Sequence, residues 1–543
     1  MTALARTLLI AAAIVCGFAP AAIHAENGHA KNGTTLEFRT SDRCVACHNG
    51  LKTKSGEDIS IGLEWRASVM ANSARDPYWQ GSVRRETIDH PESSASIQDE
   101  CSTCHMPVAH FLEESKGRKT EVFARLPLRE SKDGHGEAAD GVSCSVCHQI
   151  EPEGLGTPQS FSGQMKFAAK AGTEDRPEFG PFIVDAGHQR VMYTSTRGFV
   201  PTVAGHIRDS ALCGSCHTLY TTARGPGGKD IGVFPEQMPY LEWLHSDYPA
   251  KYTCQGCHMP EVTEPVKVTA VFGPEREGMH RHVFVGGNVL LEQILNDHRD
   301  ELDVQALPQE LTAATERTRA FLQNSTASMS IDSLEAEAGA VRFAVHVENL
   351  TGHKLPTAYP SRRAWLHVTV RDQHGRIVFE SGHLNPDGSI PGNDNDADPL
   401  KFEPHYAEIT QPGQVQIFEP ILKDSEGKVT TGLISAVGYL KDNRLLPSGF
   451  DKQTAGKDIA VIGDAHDDPG FTDKGSVTRY AIDAGSAAGP FHIEAELCYQ
   501  PVGFRWAHNL EPYKAAEPQR FVSYYEAQSR NSAVVLARAE ATR

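Results

Sequence analysis

The sequence has no hydrophobic run long enough to cross a membrane. Its longest apolar stretch near the start, residues 8–18, is about half of the roughly twenty residues that a spanning helix needs. Positive charge is also scarce, because 52 Lys and Arg stand against 70 Asp and Glu, for a net charge of -18. Nucleic acid and anionic membrane surfaces attract basic proteins, so neither is an expected partner. The protein is predicted not to span a membrane.

The N-terminus has the parts of a secretory signal. Arg6 precedes the apolar run, and small residues follow it up to Ala25. We predict a signal peptide over residues 1–25, cleaved after Ala25, with an uncleaved anchor as the alternative. The mature protein is then expected in the periplasm, at the cell surface or outside the cell. Cys16 would leave with the signal peptide.

Few cysteines stand outside one repeated pattern. Of 12 cysteines, ten belong to five Cys-x-x-Cys-His motifs, and the others are Cys16 and Cys498. An exported chain with this many cysteines would otherwise suggest disulfides. Cys498 lies in an apolar run and is interpreted as a buried structural thiol. The motif cysteines are Cys44, Cys47, Cys101, Cys104, Cys144, Cys147, Cys213, Cys216, Cys254 and Cys257.

The spacing of each motif suits covalent haem attachment. Two thiols three positions apart add across the two vinyl groups of a haem, and the adjacent histidine binds the iron from the proximal side. Zinc or redox Cys-x-x-Cys sites are the alternative, but zinc does not require a histidine after the second cysteine every time. We therefore predict five covalently bound haem c groups. Their proximal ligands would be His48, His105, His148, His217 and His258.

A different pattern follows the five motifs, which all lie between residues 44 and 258. Residues 307–322 have the apolar spacing of a helix. His346 and His367 fall in alternating segments and are interpreted as structural. Strands are predicted at residues 341–347, 365–370, 415–418 and 491–499, and a C-terminal helix at residues 518–539.

These patterns predict an α+β protein of two domains. Residues 26–305 would form a pentahaem cytochrome c domain, mainly helical and loop, packed around haem. Residues 306–330 would form a linker helix, and residues 331–543 a β-sandwich-like domain with a C-terminal helix.

Several segments around the motifs resemble a known family. The likeness is to the tetrahaem cytochrome of ammonia oxidisers and its larger multihaem relatives, some of which carry a C-terminal β domain. It covers residues 40–300, and residues 340–540 resemble the β extension. The segments that carry it are residues 65–71, 140–143, 234–243, 282–288 and 352–356, with the Cys-His-Met-Pro endings at Met106 and Met259.

The resemblance implies distal ligands for the haem irons. His188, His206 and His282 would serve in the first part of the chain, and His353, between Gly352 and Pro356, would be presented from the β domain. Each has an ordinary alternative as a solvated or turn histidine. At residues 68–71 the chain has Met70 where the family pattern has histidine, so Met70 is either a thioether ligand or core filling. A reserve comprises His90, His110, His135 and His280.

Two acidic loops are candidates for calcium. Residues 393–398 and 464–468 supply closely spaced side-chain oxygens, which calcium prefers. Neither loop has the spacing of the helix-loop-helix calcium motif, so an ordinary acidic surface loop is the alternative.

The second axial position of each iron decides the function. A histidine or methionine there makes an electron carrier, whereas an open position permits catalysis. We predict a carrier that relays electrons between redox partner proteins, basic ones being favoured by the negative charge, or that serves within a larger electron-transfer complex. The alternative is an oxidoreductase acting on a small nitrogen or sulfur oxyanion. No motif has the lysine of the pentahaem ammonia-forming nitrite reductases, which weakens that alternative.

Overall fold

The computed structural model describes residues 37–129, 135–168, 175–337 and 339–543. The predicted signal peptide and Cys16 lie outside the described residues. Helices and strands are both abundant, so the chain is α+β as predicted. The division into two domains stays a prediction.

Short helices are frequent before residue 300. The helices are α1 (Asp42–Val45), α2 (Ile61–Arg66), α3 (Pro77–Asp89), α4 (Ser94–His105), α5 (Pro107–Glu114), α6 (His135–Ala139), α7 (Cys144–Cys147), α8 (Ala186–Thr196), α9 (Ser210–Gly214), α10 (Pro239–Leu244), α11 (Cys254–His258), α12 (Val289–Asp297), α13 (Pro308–Ser325), α14 (Asp394–Ala397), α15 (Phe504–His508) and α16 (Ala516–Gln528).

Strands occur on both sides of α13, and most of the longer ones follow it. The strands are β1 (Arg176–Gly180), β2 (Phe199–Val203), β3 (Leu219–Arg224), β4 (Asp230–Gln237), β5 (Val266–Lys267), β6 (Glu275–Arg276), β7 (Ala327–Glu337), β8 (Ala340–Asn349), β9 (Arg363–Arg371), β10 (Ile377–Ser381), β11 (Glu408–Ile409), β12 (Ile417–Phe418), β13 (Pro420–Asp424), β14 (Val429–Thr430), β15 (Ala436–Asp442), β16 (Phe471–Thr472), β17 (Gly475–Asp483), β18 (His492–Gln500) and β19 (Val534–Thr542).

Helix α13 confirms the helix predicted at residues 307–322. Pro308 occupies its first position, where a missing N–H costs nothing, and the Glu310 carboxylate accepts the Leu307 N–H at 2.9 Å. The buried side chains Leu311, Ala314, Thr318 and Leu322 recur at the three- and four-residue spacing of one helical face. That face packs on α12 and β19.

Two five-stranded sheets share one hydrophobic core. One has the order β10-β9-β18-β19 with β12 beside β9, and the other has the order β11-β17-β8-β7 with β16 beside β17. Alternate residues of β8 and β9, among them Val345 and Val368, are fully buried in the common core. Strands β8, β9 and β18 therefore confirm three of the four predicted strands. The fourth, predicted at residues 415–418, is a strand only at residues 417–418, as β12.

The predicted C-terminal helix is wrong in its second half. Helix α16 ends at Gln528, and residues 534–542 form β19, which pairs antiparallel with β18. Alternation of buried and less buried residues begins at Val534, which is the pattern of an edge strand. Strand β7, paired with β8, was not predicted.

A search of the described residues found no helix with the length and apolar character needed to cross a membrane.

Candidate haem-binding cavity

One cavity of about 1290 Å³ is lined by every Cys-x-x-Cys-His motif. All ten motif cysteines and all five motif histidines contribute to its wall. Within the described residues, none of the motif cysteines forms a disulfide. Sequence-distant motifs thus open into one continuous space, and the cysteines remain available for bonding to a group inside it.

Each motif occupies a helix or its end. The motifs lie on α1, α4, α7, α9 and α11 or at their C-terminal ends. Residues three apart on a helix project from the same side, so a helical turn aims both thiols of a motif in one direction. The turn also carries the next residue, the histidine, to the cavity wall.

Four of the five motif histidines have a fixed ring orientation. A backbone carbonyl accepts a hydrogen bond and never donates one, so the Nδ1 atom facing it must carry the proton. The Nε2 lone pair then remains free to bind a metal. The bonds run from His48 to Val268 O (2.6 Å), from His105 to Ser73 O (3.0 Å), from His148 to Phe179 O (2.5 Å) and from His258 to Val285 O (2.6 Å).

Burial keeps these rings neutral at physiological pH. Desolvation lowers the pKa of His105 and of His217 to about 4. It also lowers the pKa of His48, His148 and His258. A neutral imidazole is the form that ligates a metal.

Two further half-buried histidines face motif histidines across the cavity. The ring centres of His148 and His282 are 6.4 Å apart with 13° between the ring planes, and those of His258 and His353 are 6.3 Å apart with the same angle. A metal bonded at about 2 Å to the Nε2 atoms of two opposed imidazoles separates the ring centres by about 6 Å. Both pairs therefore have room for one metal ion between two nearly parallel rings.

His282 is held by the segment that also contacts the fifth motif. Its Nδ1 donates to His280 O at 3.0 Å, and its backbone N–H donates to Glu64 Oε2 at 2.9 Å. Arg281 binds the same carboxylate of Glu64. Burial, the largest cause, lowers the pKa of His282 to about 3. The ring is thus neutral and oriented like the motif histidines.

His353 is held by a buried network of four charged side chains. Its own Nδ1 donates to Lys354 O at 2.9 Å, and burial lowers its pKa to about 4. Lys354 Nζ lies 2.7 Å from Asp442 Oδ2, and Arg444 binds both Asp442 and Glu242. Glu242, on α10, also accepts the backbone N–H of Lys354 at 3.1 Å. The network therefore connects the His353 segment to the helix that precedes the fifth motif.

The motif residues fit haem better than zinc. Within the described part of the chain, the motif cysteines and histidines do not form any group of three or more ligand atoms close enough to hold one metal ion. A haem needs two thiols and one imidazole around a wide apolar space, and the cavity provides this five times. Residues His48, His105, His148, His217 and His258, with their cysteine pairs, would hold the haems.

Comparison with known proteins finds one remote likeness. It is the crystal structure of a penta-heme cytochrome c552 from Thermochromatium tepidum, with a TM-score of 0.49, 16% sequence identity, and coverage of 93% of this chain and 99% of that chain. No family model matches the chain, and no curated protein does. The case for haem therefore rests on the motifs and on the cavity.

Cysteines of neighbouring motifs lie close together. Cys44 and Cys144 are each the largest influence on the pKa of the other thiol, which places the first motif beside the third. The same relation places the second motif beside the fourth, through Cys104 and Cys216, and the fourth beside the fifth, through Cys213 and Cys254. The charge of Cys216 also affects Cys147 of the third motif. The spatial order is thus first, third, fourth and fifth, with the second beside the fourth.

The structure places His188 beside the first motif. Its Nδ1 lies 2.5 Å from Asp185 Oδ2, which raises the pKa of the ring, and the backbone of Val271 and Phe272 raises it further. The ring lines the cavity, and these two residues follow Ala270, whose N–H donates to Cys47 O. The structure thus places His188 at this wall, and ligation by its Nε2 stays a prediction.

Met70 and His206 are less well placed. Met70 is half-buried and lines the cavity. His206 is absent from the cavity wall that the structure describes, and its Nε2 donates to Ile150 O at 2.8 Å. The structure thus gives His206 a structural contact at the atom that would have bound iron.

The reserve histidines also make structural contacts where their side chains are described. His110 is buried against Ser102 and Thr103, and Asp99 accepts from it at 3.3 Å. His90 contacts Ser435, and His280 Nδ1 donates to Met259 O at 2.6 Å. The side chain of His135 lies outside the described residues.

In the two acidic loops, buried aspartate side chains already bind other groups of the protein. Asp396 forms a buried ion pair with Arg363 at 2.8 Å and accepts the Ile390 N–H. Asp468 pairs with buried His405 at 3.0 Å. Calcium at either loop stays a prediction.

A polar chamber in the cavity wall had no signal in the sequence. Buried Tyr78 and half-buried Tyr359 pack edge to face with ring centres 5.7 Å apart, and Ser82 lies close enough to affect the pKa of both hydroxyls. Burial raises the pKa of both tyrosines, which remain neutral donors. Arg362 lies beside them in the chain and close enough to lower the pKa of His217. Residues so far apart in sequence cannot be associated without the fold.

Proposed function

We propose that the protein is a pentahaem c-type cytochrome that transfers electrons. The observation that carries the proposal is the pair of opposed imidazoles, His148 with His282 and His258 with His353, in a cavity lined by all five attachment motifs. Haem iron supplies one-electron redox chemistry, and ligation by two histidines favours electron transfer over substrate binding.

The order of the motifs supports a relay. Cysteines of the first and third motifs, of the second and fourth, and of the fourth and fifth lie close together, and Cys216 of the fourth motif influences Cys147 of the third. Haems attached at neighbouring cysteines would lie side by side, so electrons would have a continuous route from the first motif through the third and fourth to the fifth, with a branch at the second. Donors and acceptors would dock where the ends of this route approach the surface.

The remaining ligands follow from position. His188, whose ring lines the cavity near the first motif, is proposed to serve the haem of His48. Met70 is retained as a candidate for another haem. The finer layout belongs to the same proposal: a haem-packed domain, a β-sandwich-like domain that presents His353, export by the signal peptide, and redox proteins as partners.

Spectroscopy of the purified holoprotein tests the carrier. Mass spectrometry should find five haems per chain, and low-temperature EPR of the oxidised protein should show low-spin iron from the two histidine pairs. His353→Ala should convert one haem to high spin because it removes one of two axial ligands. The matched control is His374→Ala, an exposed histidine in the β9–β10 turn. Unchanged spectra in His353→Ala would refute the pairing.

A second function is favoured by the chamber of Tyr78, Tyr359, Ser82 and Arg362. Trp79 stacks on His105 with ring centres 4.4 Å apart, and the two histidines that lower the pKa of His217, His258 and His353, face each other. Glu86 and Glu236 influence both Tyr359 and Cys101, which places the chamber near the second motif. Neutral hydroxyl donors and a guanidinium in a dry cavity can bind a small oxyanion. This arrangement supports an oxidoreductase of that substrate class at the second or fourth motif.

Anion titration distinguishes the two functions. A high-spin signal that shifts with nitrite or sulfite, and a weaker shift in Tyr359→Phe, would support the oxidoreductase. Tyr359→Phe removes one hydroxyl and keeps the ring, so the fold is expected to persist. Tyr480→Phe is the control, because Tyr480 is a buried tyrosine of the sheet core that is not part of the cavity wall. Entirely low-spin spectra unaffected by anions would refute catalysis.

A further inference from the structure

A row of charged side chains crosses the outer face of one sheet. Glu496 on β18 stands directly opposite His367 on β9, and Arg538 on β19 stands opposite Glu496. Glu380 on β10 pairs with Thr369, which is two residues from His367 and therefore on the same face. His367 was interpreted as structural, but its strand neighbours Leu366 and Val368 are the residues that face the core.

Three of the side chains on this face converge. His367, Glu380 and His383 each offer a ligand atom, and these atoms all lie within 4.8 Å of one another. His367 Nε2 is 3.1 Å from Glu380 Oε1. In tetrahedral zinc sites, bonds of about 2.0–2.1 Å place ligand atoms about 3.3 Å apart. One edge of the site is thus already at the required length, and the exposed side chain of His383 has the freedom to complete it.

Gly382 brings His383 to this position. Its φ of +78° lies in the left-handed region, and a Cβ atom there would lie 2.1 Å from Leu366 O. Only glycine tolerates that combination. The chain can therefore turn tightly over β9 after β10 ends, and the next side chain, His383, comes close to His367, with ring centres 6.1 Å apart.

Glu496 orients His367 in the manner of a metal ligand. Glu496 Oε2 is 3.1 Å from His367 Nδ1, and a carboxylate there accepts the Nδ1 proton. Nε2 then faces the Glu380 carboxylate at 3.1 Å, a contact that either a proton on Nε2 or a cation bound by both atoms can satisfy. Arg538 donates to the other carboxylate oxygen of Glu496 and so holds this carboxylate beside His367.

We propose that His367, Glu380 and His383 bind a borderline divalent cation of the zinc class. Two imidazoles and one carboxylate, with a fourth position left for water, are a ligand set that zinc accepts. The competing occupant of the space is a proton on His367. None of the three ligands lines the haem cavity. The metal would fasten the end of edge strand β10 to β9, and its binding does not depend on the proposed electron transfer.

Zinc binding to the full-length holoprotein tests the proposal. Calorimetric titration with Zn²⁺ and elemental analysis after desalting should give one zinc per chain in addition to the haem iron. His383→Gln should weaken zinc binding at least a hundredfold while leaving the His367 ion pairs intact. Glu496→Gln should weaken it about 10- to 100-fold, the usual effect of losing a partner of a ligating histidine. His374→Gln, an exposed histidine of the same hairpin, should bind zinc like the parent.

The opposite results would overturn the site. Equal zinc affinity in His383→Gln and the parent would assign the cluster to a protonated His367. The same conclusion follows if the parent takes up no zinc at micromolar concentration. A shift of the haem absorption bands on zinc addition would place the bound ion in the haem cavity instead. Circular dichroism of His383→Gln should match the parent, because the side chain is exposed.

Discussion

Replacement of Lys354 by methionine should both destabilise the protein and loosen the haem ligand next to it. Lys354 is fully buried, and its ammonium lies 2.7 Å from Asp442 Oδ2 and 3.1 Å from Ala460 O. With Arg444 it balances the two carboxylates of Asp442 and Glu242. Lys354→Met keeps much of the side-chain volume but leaves one buried negative charge without its partner.

The expected loss of stability is about 3–5 kcal/mol, the usual cost of removing one member of a buried ion pair. Removing Asp442 as well should restore part of it, because Arg444 and Glu242 then form a neutral pair at 2.9 Å. Lys354→Met with Asp442→Asn should therefore be more stable than Lys354→Met alone. Urea unfolding of the holoproteins measures the free energy of unfolding of the parent, of Lys354→Met and of the double variant.

The spectroscopic consequence distinguishes positioning from simple stability. The backbone of Lys354 donates to Glu242 and its carbonyl accepts from His353, so disorder here should release His353 from the haem of His258. High-spin iron should appear in Lys354→Met at urea concentrations well below global unfolding. Lys441→Met is the matched control, since Lys441 is equally buried but pairs with Glu419 at 3.2 Å. It should lose stability and keep low-spin haem.

Two results would refute this reasoning. A loss below about 1 kcal/mol in Lys354→Met would mean that the network contributes little, as some buried pairs do when water or neighbours compensate. Equal amounts of high-spin iron in Lys354→Met and Lys441→Met would mean that destabilisation in general, and not the His353 segment, releases the ligand.

Two further predictions concern pH. Burial raises the pKa of Glu178 to about 8, and reduction of a nearby haem should raise this pKa further. The midpoint potential of that haem should therefore fall with pH above about pH 8, by up to about 59 mV per pH unit. Potentiometry of Glu178→Gln should show a smaller pH dependence, and a pH dependence equal to that of the parent would contradict the prediction. Burial raises the pKa of Asp442, but Arg444 and Lys354 outweigh it and hold that pKa well below its usual range. Its stabilising contribution is then present above an unfolded-state pKa of about 4 and is lost as the pH falls further, so thermal unfolding of Asp442→Asn should depend less on acid than that of the parent.

The sequence predicted what depends on neighbours along the chain. A Cys-x-x-Cys-His motif carries both thiols and the proximal histidine within five residues, so His148 and His258 needed no tertiary information. The apolar spacing of residues 307–322 likewise predicted a helix that α13 confirms. The helix predicted over residues 518–539 extends too far because the alanines and charged residues after residue 533 suit a helix. Pairing with β18 makes residues 534–542 a strand instead.

Features that depend on the three-dimensional fold could be predicted only in part from the sequence. The resemblance suggested His282 and His353, but their partners became visible only as opposed rings at 6.4 and 6.3 Å. His206 had the same support, and its Nε2 contacts Ile150 O, so its role as a ligand stays a prediction. Tyr78 and Tyr359 come from opposite parts of the chain, and so do the members of the chamber around them. No local pattern brings such residues together.

The two opposed pairs differ in what holds the second histidine. His282 is fixed by Glu64 and by a chain segment close to the motifs themselves. His353 follows β8 and is fixed through Asp442 and Arg444, which belong to the end of β15 and the loop after it. The proposed ligation by His258 and His353 therefore depends on the packing of the strands after residue 340, whereas the proposed ligation by His148 and His282 depends on Glu64 and on residues before 300. Any partner or metal that stabilises those strands would act first on the haem of the fifth motif, at the end of the proposed relay.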